Sequence, residues 1–333
     1  MRAVWWAVAL CACKTTQEAP ADTDDRWAPE VACPGMAGCE DNDGALRVGV
    51  AVRSIVPDCY ESWEDLDGDA VWRTSVERFF DCGCDRLCPE DEGYVAPDEG
   101  EGDGTFQAIW LGGFSNKRPA MGVRGAELGM IGEGDGLEAR ALVLDQGGTR
   151  VAVVTMDALG VMHDQVLQIR SAVTEQVPGV DHVIVHSSHT HSAPDSLGIY
   201  GPSYATSGWS ARLADQQARA VVEAVAEAVA ELEEVSVAWG QVDSTDYFEN
   251  GVANLISDTR DPVVVDPMIG VITFSAGERV VATVVHWANH PETIADENNL
   301  MTADFVHGLR KVVESGSRWP GGRRVEGIGE IGR

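Results

Sequence analysis

The stretch HVIVHSSHTHSAP, residues 182–194, combines a short apolar strand with a histidine-rich loop. The apolar residues between His182 and Ser187 predict a buried strand. His189 and His191 follow at a spacing that places both side chains on one face if the strand continues. Neutral imidazoles at a strand end are typical ligands of a hydrolytic zinc ion. We therefore expect a site here, although a lone histidine more often has a structural role.

A second histidine segment follows another apolar strand near the end of the chain. His290 precedes Pro291 and Glu292, and His286 lies four residues earlier, on the same face if one strand holds both. Asp157 closes a further predicted strand. It is either a carboxylate that supports the site or the N-cap of the next helix, and Asp304 is another potential cap.

Regular patterns surround these segments and predict an α/β layered domain with a mixed β-sheet flanked by helices. Gln146-Gly147-Gly148 separates two strand patterns and indicates a hairpin. The predicted strands are 46–52, 139–145, 151–157, 182–187, 235–242, 268–274 and 280–287, and the predicted helices are 161–177, 209–234 and 304–314.

Composition excludes some functions. The 333 residues are 44% hydrophobic, enough for a substantial core, and the formal net charge is −30. Nucleic-acid binding requires clustered Lys and Arg, and anionic lipid surfaces repel such a chain. We therefore expect neither a nucleic-acid partner nor direct adsorption onto a membrane.

The N-terminus resembles a bacterial lipoprotein signal. Arg2 precedes the apolar run Ala3–Leu10, which is too short to span a bilayer. The following Cys-Ala-Cys places Cys13 where a lipobox cysteine would be lipidated. We expect a signal peptide at 1–13, a polar tether at 14–44 and a domain at 45–333, in a protein of the bacterial cell envelope (periplasmic or outer-membrane). An ordinary secretory signal is the alternative.

A cysteine- and acid-rich insertion occupies about 57–105. With Cys11 removed and Cys13 lipidated, six cysteines remain, and an exported protein uses these for disulfides. The sequence selects no pairing, and Cys82, Cys84 and Cys88 are an alternative soft-metal site. These six cysteines are Cys33, Cys39, Cys59, Cys82, Cys84 and Cys88.

The same insertion contains Asp65, Asp67 and Asp69 around a glycine, which is similar to the start of a calcium loop. The glutamate that closes an EF-hand is replaced by Val76. Calcium binding and a solvated acidic loop both remain open.

Taken in order, several segments resemble the N-terminal catalytic domain of the neutral/alkaline (non-lysosomal) ceramidases. The resemblance covers roughly 46–52 and 106–315, and the insertion has no counterpart in that family. The segments are LRVGVA at 46–51, ARALVL at 139–144, VVTMD at 153–157, HTHSAP at 189–194, DP at 266–267, VITF at 271–274, NHP at 289–291 and TADF at 302–305.

The resemblance implies hydrolysis of the amide of N-acylsphingosine, with zinc bound by His189 and His290 and with His191 lining the site. Asp157 is our second candidate for a catalytic role. The family's remaining zinc ligands, a glutamate and a tyrosine, have no counterpart up to residue 333. Its substrate-binding Asn-Arg pair is expected at Asn250, which glycine follows here, and Gly134 stands where relatives often have histidine.

Two alternatives share these residues. The first is a non-catalytic exported lipoprotein with a degenerate ceramidase-like domain, whose acidic insertion binds calcium or a partner. The second is a zinc hydrolase of another amide or ester. The leading prediction is a zinc-dependent hydrolase domain that acts on a lipid amide.

Overall fold

The computed structural model describes residues 44–124, 136–246, 255 and 257–315. The signal peptide, Cys13, the tether up to residue 43, Cys33, Cys39, Gly134 and Asn250 lie outside this part of the chain. Among the described helices, none is both long enough and apolar enough to cross a bilayer.

The principal sheet has five strands in the order β7-β6-β5-β1-β8. Strands β6 and β7 are parallel, and the other neighbouring pairs are antiparallel, so the predicted mixed sheet is confirmed. These strands are β1 (Arg47–Ser54), β5 (Glu138–Gln146), β6 (Thr149–Met156), β7 (His182–Ser187) and β8 (Glu233–Glu234).

Two helices pack with this sheet: α1 (His163–Gln176) contacts β7, and α2 (Ala211–Ala230) crosses β1 and β5. Alternate residues of β5 are buried, as expected for a strand with one covered face. The approach of α2 requires Gly49, because a Cβ atom there would lie 1.8 Å from the carbonyl oxygen of Ala228. Glycine therefore sets the distance between this helix and the sheet.

A second sheet has the order β11-β10-β9 and is entirely antiparallel. Its strands are β9 (Ser236–Asp243), β10 (Met268–Ala276) and β11 (Arg279–Trp287). The last helix, α3 (Phe305–Ser315), follows a two-residue strand, β12 (Leu300–Met301), which pairs in parallel with β4 (Gly122–Val123).

The insertion has little regular structure beyond β2 (Trp63–Glu64) paired with β3 (Arg78–Phe79). Disulfides join Cys59 to Cys84 and Cys82 to Cys88. The disulfide hypothesis is thus confirmed for these four cysteines, and the soft-metal alternative is wrong for them. An aromatic cluster supplies a small core beside the disulfides; its members are Trp63, Trp72, Phe79, Phe106 and Trp110.

One predicted helix boundary and one predicted placement are wrong. The helix predicted to run to Glu234 ends at Ala230, and Glu233–Glu234 instead pairs with β1 as strand β8. Strand β11 ends at Trp287, so His290 lies in the following loop, and the expectation that it shares a strand face with His286 fails. His286 is exposed on the strand itself.

Candidate metal centre

Three histidines from two separate loops meet at one point. One ligand nitrogen of each of His189, His191 and His290 lies within 4.8 Å of the other two. The rings of His189 and His290 are stacked with centroids 4.8 Å apart, and the His191 ring stands nearly perpendicular to both. The structure therefore brings together the three histidines that the sequence singled out.

The loop after β7 places the first two of these rings. Strand β7 ends at Ser187, so the prediction that His189 and His191 share a strand face is wrong. His189 instead has a left-handed φ of +68°, which is uncommon for a residue with a Cβ atom. Its backbone N–H donates to the carbonyl of Ala158 (3.0 Å), which fixes this conformation beside the end of β6.

Groups that contact the Nδ1 atoms orient the imidazole rings. The Nδ1 atom of His189 lies 2.6 Å from the carbonyl oxygen of Leu159, which can only accept, so Nδ1 carries the proton and Nε2 keeps its lone pair. The Nδ1 atom of His290 lies 3.1 Å from Glu292. The same carboxylate lies 3.7 Å from Nδ1 of His191, which is buried and has no hydrogen-bond partner among the described residues.

The Nε2 atoms of His191 and His290 face each other at 2.8 Å. Burial, followed by the nearby His290 and His189, lowers the pKa of His191 below its ordinary value. A lowered pKa keeps the imidazole neutral to more acidic pH, and neutral imidazole is the form that binds zinc. The donor set thus fits a catalytic type of zinc site with three nitrogen ligands.

A glycine-rich loop covers the other side of His191. Gly113 has φ +110°, and a Cβ atom at this position would lie 2.6 Å from Cβ of His191. The Phe114 ring packs edge-on against His191, with centroids 5.0 Å apart. Arg118 lies over Phe114 and donates to the carbonyl of Asn298 (2.6 Å). This loop therefore holds the His191 ring in place.

Arg118 is itself unusual, since only 1% of it is exposed. Burial lowers its pKa to about 10. Its Nη2 atom donates to a backbone carbonyl, and its Nε and Nη1 atoms have no partner in the described part of the chain. Removing the Arg118 guanidinium from water costs free energy. Its cation–π contact with the Phe114 ring offsets part of this cost and holds it beside the site.

An open cavity of about 470 Å³ adjoins His290. Its walls combine apolar surface from Trp287 and Leu255 with polar groups from Ser257, Asn289 and Glu292. This volume falls in the usual range for small-molecule sites.

Asp157 does not join the histidines. Its carboxylate accepts from both terminal nitrogens of Arg310, at 2.6 and 2.9 Å, and from the backbone N–H of Glu138. It is not an N-cap either, because Met162 occupies that position of α1. Its catalytic role remains a prediction. Arg310 could not be identified as its partner from the sequence, because the two residues lie far apart in the chain.

Asp304 directly precedes α3, and its carboxylate accepts from the N–H of Phe305 at 2.5 Å and from that of Ile294 at 2.9 Å. Asp304 therefore lies at the start of the helix, as expected. It also bonds to the loop that follows His290.

The acidic loop lies outside this centre. Asp65, Asp67 and Asp69 each bring one oxygen within 4.8 Å of the others. Arg73 forms ion pairs with Asp67 and Asp69, and these contacts lower the pKa of Asp69.

No protein-family model and no curated protein matches the sequence. Two solved structures are similar in fold. One is a ceramidase complexed with C2, at a TM-score of 0.54 and 15% identity over 84% of this chain and 36% of that one. The other is the neutral ceramidase of Pseudomonas aeruginosa, at a TM-score of 0.50 and 15% identity over 84% and 38%.

This chain therefore spans little more than a third of the length of the structures it matches. The α/β fold expected from the resemblance is confirmed, and the fold of this chain is that of the matching part of the neutral ceramidases.

Proposed function

We propose that this chain is a zinc-dependent hydrolase domain that cleaves the amide of N-acylsphingosine or a related lipid amide. The observation that carries the proposal is the meeting of His189, His191 and His290 at one point. A fold alone supports many chemistries, so the proposed substrate class combines this cluster with the likeness of the fold to the ceramidases. His189 and His290 are the proposed zinc ligands, and His191 completes the nitrogen set.

The residues around the rings suit this role. The Leu159 carbonyl holds a proton on Nδ1 of His189, so its Nε2 lone pair remains available, and Glu292 lies 3.1 Å from Nδ1 of His290. A zinc ion bound there supplies Lewis-acid activation of the amide carbonyl and of water. The half-exposed Glu292 carboxylate lies 3.1 Å from Nδ1 of His290 and 3.7 Å from Nδ1 of His191.

The cavity beside His290 suits a lipid amide. Trp287 and Leu255 offer apolar surface for a hydrocarbon chain, whereas Asn289, Ser257 and Glu292 offer polar groups for the amide region. The lining of the cavity is more polar than apolar, so Trp287 and Leu255 are the apolar surface that a hydrocarbon chain would contact. The proposed acyl chain therefore lies against Trp287 with the amide directed towards His290.

Metal analysis and hydrolysis assays test the proposal. Zinc content is measured in the purified chain, in His189→Ala and in His290→Ala, together with release of fatty acid from N-acylsphingosine. We expect stoichiometric zinc in the wild type and loss of both zinc and activity in the two variants. His286→Ala is the matched control, because this exposed histidine of β11 is not part of the cluster.

Zinc content that is unchanged in both variants contradicts the metal site. Zinc that is bound normally without cleavage of N-acylsphingosine contradicts the substrate, and a panel of other amides and esters then tests the alternative hydrolase.

A further inference from the structure

Asp304 has a backbone conformation that its position at the start of α3 does not require. Its φ is +58°, in the left-handed region, and only 4% of the residue is exposed. Residues that cap helices usually have extended backbone, as Ser210 does at the start of α2. A non-glycine residue stays in the left-handed region where surrounding contacts hold it there, and such residues are frequent at functional sites. Capping alone therefore does not account for Asp304.

The Asp304 carboxylate bonds mainly outside its own helix. Its Oδ1 atom accepts from the hydroxyl of Thr293, and its Oδ2 atom accepts from the N–H of Ile294 at 2.9 Å. The third donor is the N–H of Phe305, the first residue of α3, at 2.5 Å. Thr293 and Ile294 follow His290 by three and four residues. Two of these three donors thus belong to the loop that carries His290.

The residues just before Asp304 hold the other histidine loop. The N–H of Thr302 donates to the carbonyl of Ser192 at 2.9 Å, and its carbonyl accepts from the hydroxyl of Thr190 at 2.8 Å. Thr190 and Ser192 are the two neighbours of His191 in the chain. The N–H of Asp304 in turn donates to Oγ1 of Thr302 at 3.0 Å. One buried segment therefore bonds to both histidine loops.

We propose that Asp304 is a positioning residue for the metal centre, and that its carboxylate sets where the His290 ring lies relative to His189 and His191. The inference rests on the proposed function, because it concerns the ligands of the proposed zinc ion. His290 lies in a loop beyond the end of β11, so the strand itself does not fix its ring. Metal ligands must be held within roughly 0.5 Å of the productive geometry, which requires support from the residues around them. The Asp304 carboxylate supplies this support to the His290 loop.

Asp304→Gly separates positioning from the other roles of this residue. Glycine adopts a left-handed backbone at no steric cost, and it is an accepted residue at helix N-caps. The variant therefore keeps the backbone conformation and most of the helix start, but it loses the bonds to Thr293 and Ile294. Asp304→Asn is the conservative variant. Its amide has one acceptor oxygen in place of two, so its loss should lie between those of the wild type and Asp304→Gly.

Zinc affinity is measured by competition with a chelator, and the absorption spectrum of the cobalt(II)-loaded chain reports the ligand geometry. Asp304→Gly is expected to weaken zinc binding roughly 10- to 100-fold, a typical loss for residues that support metal ligands, and to alter the cobalt spectrum. Ser210→Ala is the matched control, because it removes the side-chain cap of α2. It should lower Tm but leave zinc affinity and the cobalt spectrum unchanged.

A second variant tests the contact from the other side. Thr293→Val keeps the branched shape but removes the hydroxyl that donates to Asp304. It should weaken zinc binding less than Asp304→Gly does, and the double variant should bind no more weakly than Asp304→Gly alone, because both changes break the same contact. Thr293→Val also gives every readout if Asp304→Gly does not fold.

Crystal structures without metal supply a readout that needs neither zinc nor hydrolysis. The Nε2 atoms of His191 and His290 are 2.8 Å apart. We expect this distance to increase by roughly 1 Å in metal-free Asp304→Gly, beyond the tolerance of a metal site, and to stay unchanged in Ser210→Ala.

The proposal is wrong if metal-free Asp304→Gly keeps the distance between the two rings. Zinc affinity equal to that of the wild type in both Asp304→Gly and Thr293→Val also overturns it, as does an equal loss in Ser210→Ala. A wild type that binds no zinc, or that leaves N-acylsphingosine intact, instead contradicts the proposed function. The metal-free distance then still decides whether Asp304 positions His290.

Discussion

The ion pair between Asp157 and Arg310 offers a quantitative test of how α3 is attached to the sheet. Asp157 follows β6 and is fully buried, and Arg310 on α3 is 13% exposed. The pair has two hydrogen bonds, at 2.6 and 2.9 Å. Replacing Arg310 with methionine keeps most of the side-chain volume but leaves the Asp157 carboxylate with the N–H of Glu138 as its remaining donor among the described residues.

The expected cost follows from this burial. Removing one partner of a buried ion pair destabilises a protein by about 3–5 kcal/mol, because an uncompensated charge stays out of water. In domains of comparable size each kcal/mol lowers Tm by about 2–4 °C, so Arg310→Met should lower Tm by roughly 6–20 °C. Arg140→Met is the comparison variant: Arg140 is 27% exposed and pairs with Glu314 and with Glu138, which also lies 3.6 Å from Arg310. Its loss should cost about 0–1 kcal/mol.

Urea unfolding and thermal unfolding of both variants measure these values. The double variant Asp157→Asn/Arg310→Met removes both charges and should recover part of the loss. A loss for Arg310→Met no larger than that for Arg140→Met would refute the reasoning. The double variant also tests the predicted catalytic role of Asp157, because unchanged kcat and zinc content in a folded double variant would exclude it.

Two further predictions concern the glycine-rich loop and the insertion. Gly113→Ala should displace His191 and reduce zinc content, because the new Cβ atom would lie 2.6 Å from that of His191, whereas Gly240→Ala on β9 meets no atom within 4 Å and should retain zinc. Burial, the largest cause, raises the pKa of Glu61 above its ordinary value. The contribution of this residue to the free energy of unfolding is thus present below the unfolded pKa and is lost as pH rises through the folded pKa. Urea unfolding from pH 4 to pH 8 should show this component in the wild type and not in Glu61→Gln; identical pH dependence in both would contradict it.

Local patterns predicted the elements whose boundaries depend on local sequence. The strand His182–Ser187 is confirmed at both ends, and the hairpin around Gly147 forms between β5 and β6. Both follow from side-chain alternation and turn chemistry, which act over a few residues. The end of α2 was missed because Glu233 and Glu234 pair with β1, a partner nearly two hundred residues earlier. A long-range pairing of this kind overrides local helix propensity.

The residues of the candidate site also fall into those that the sequence identified and those that it did not. His189, His191 and His290 were found because histidines are rare and their surroundings resemble a known family, and the structure brings them together. The partners of charged residues were not found. Arg310 with Asp157, and Arg73 with Asp67 and Asp69, form pairs that only the folded chain defines. The sequence position of a charged residue does not identify the residue with which it pairs in the fold.

The histidine cluster is held by the backbone around it rather than by contacts among the rings alone. The left-handed φ of His189 costs on the order of 1–3 kcal/mol in the absence of support. Its backbone N–H and its Nδ1 both bond to carbonyls that follow β6, and the N–H of His191 donates to the carbonyl of Pro291. Thr190 Oγ1 donates to the carbonyl of Thr302 at 2.8 Å, which adds the segment after β12. Three separate chain segments therefore fix the loop from different directions. Because the fold already meets the cost of this geometry, a metal ion that binds here gains affinity from a preorganised set of nitrogens.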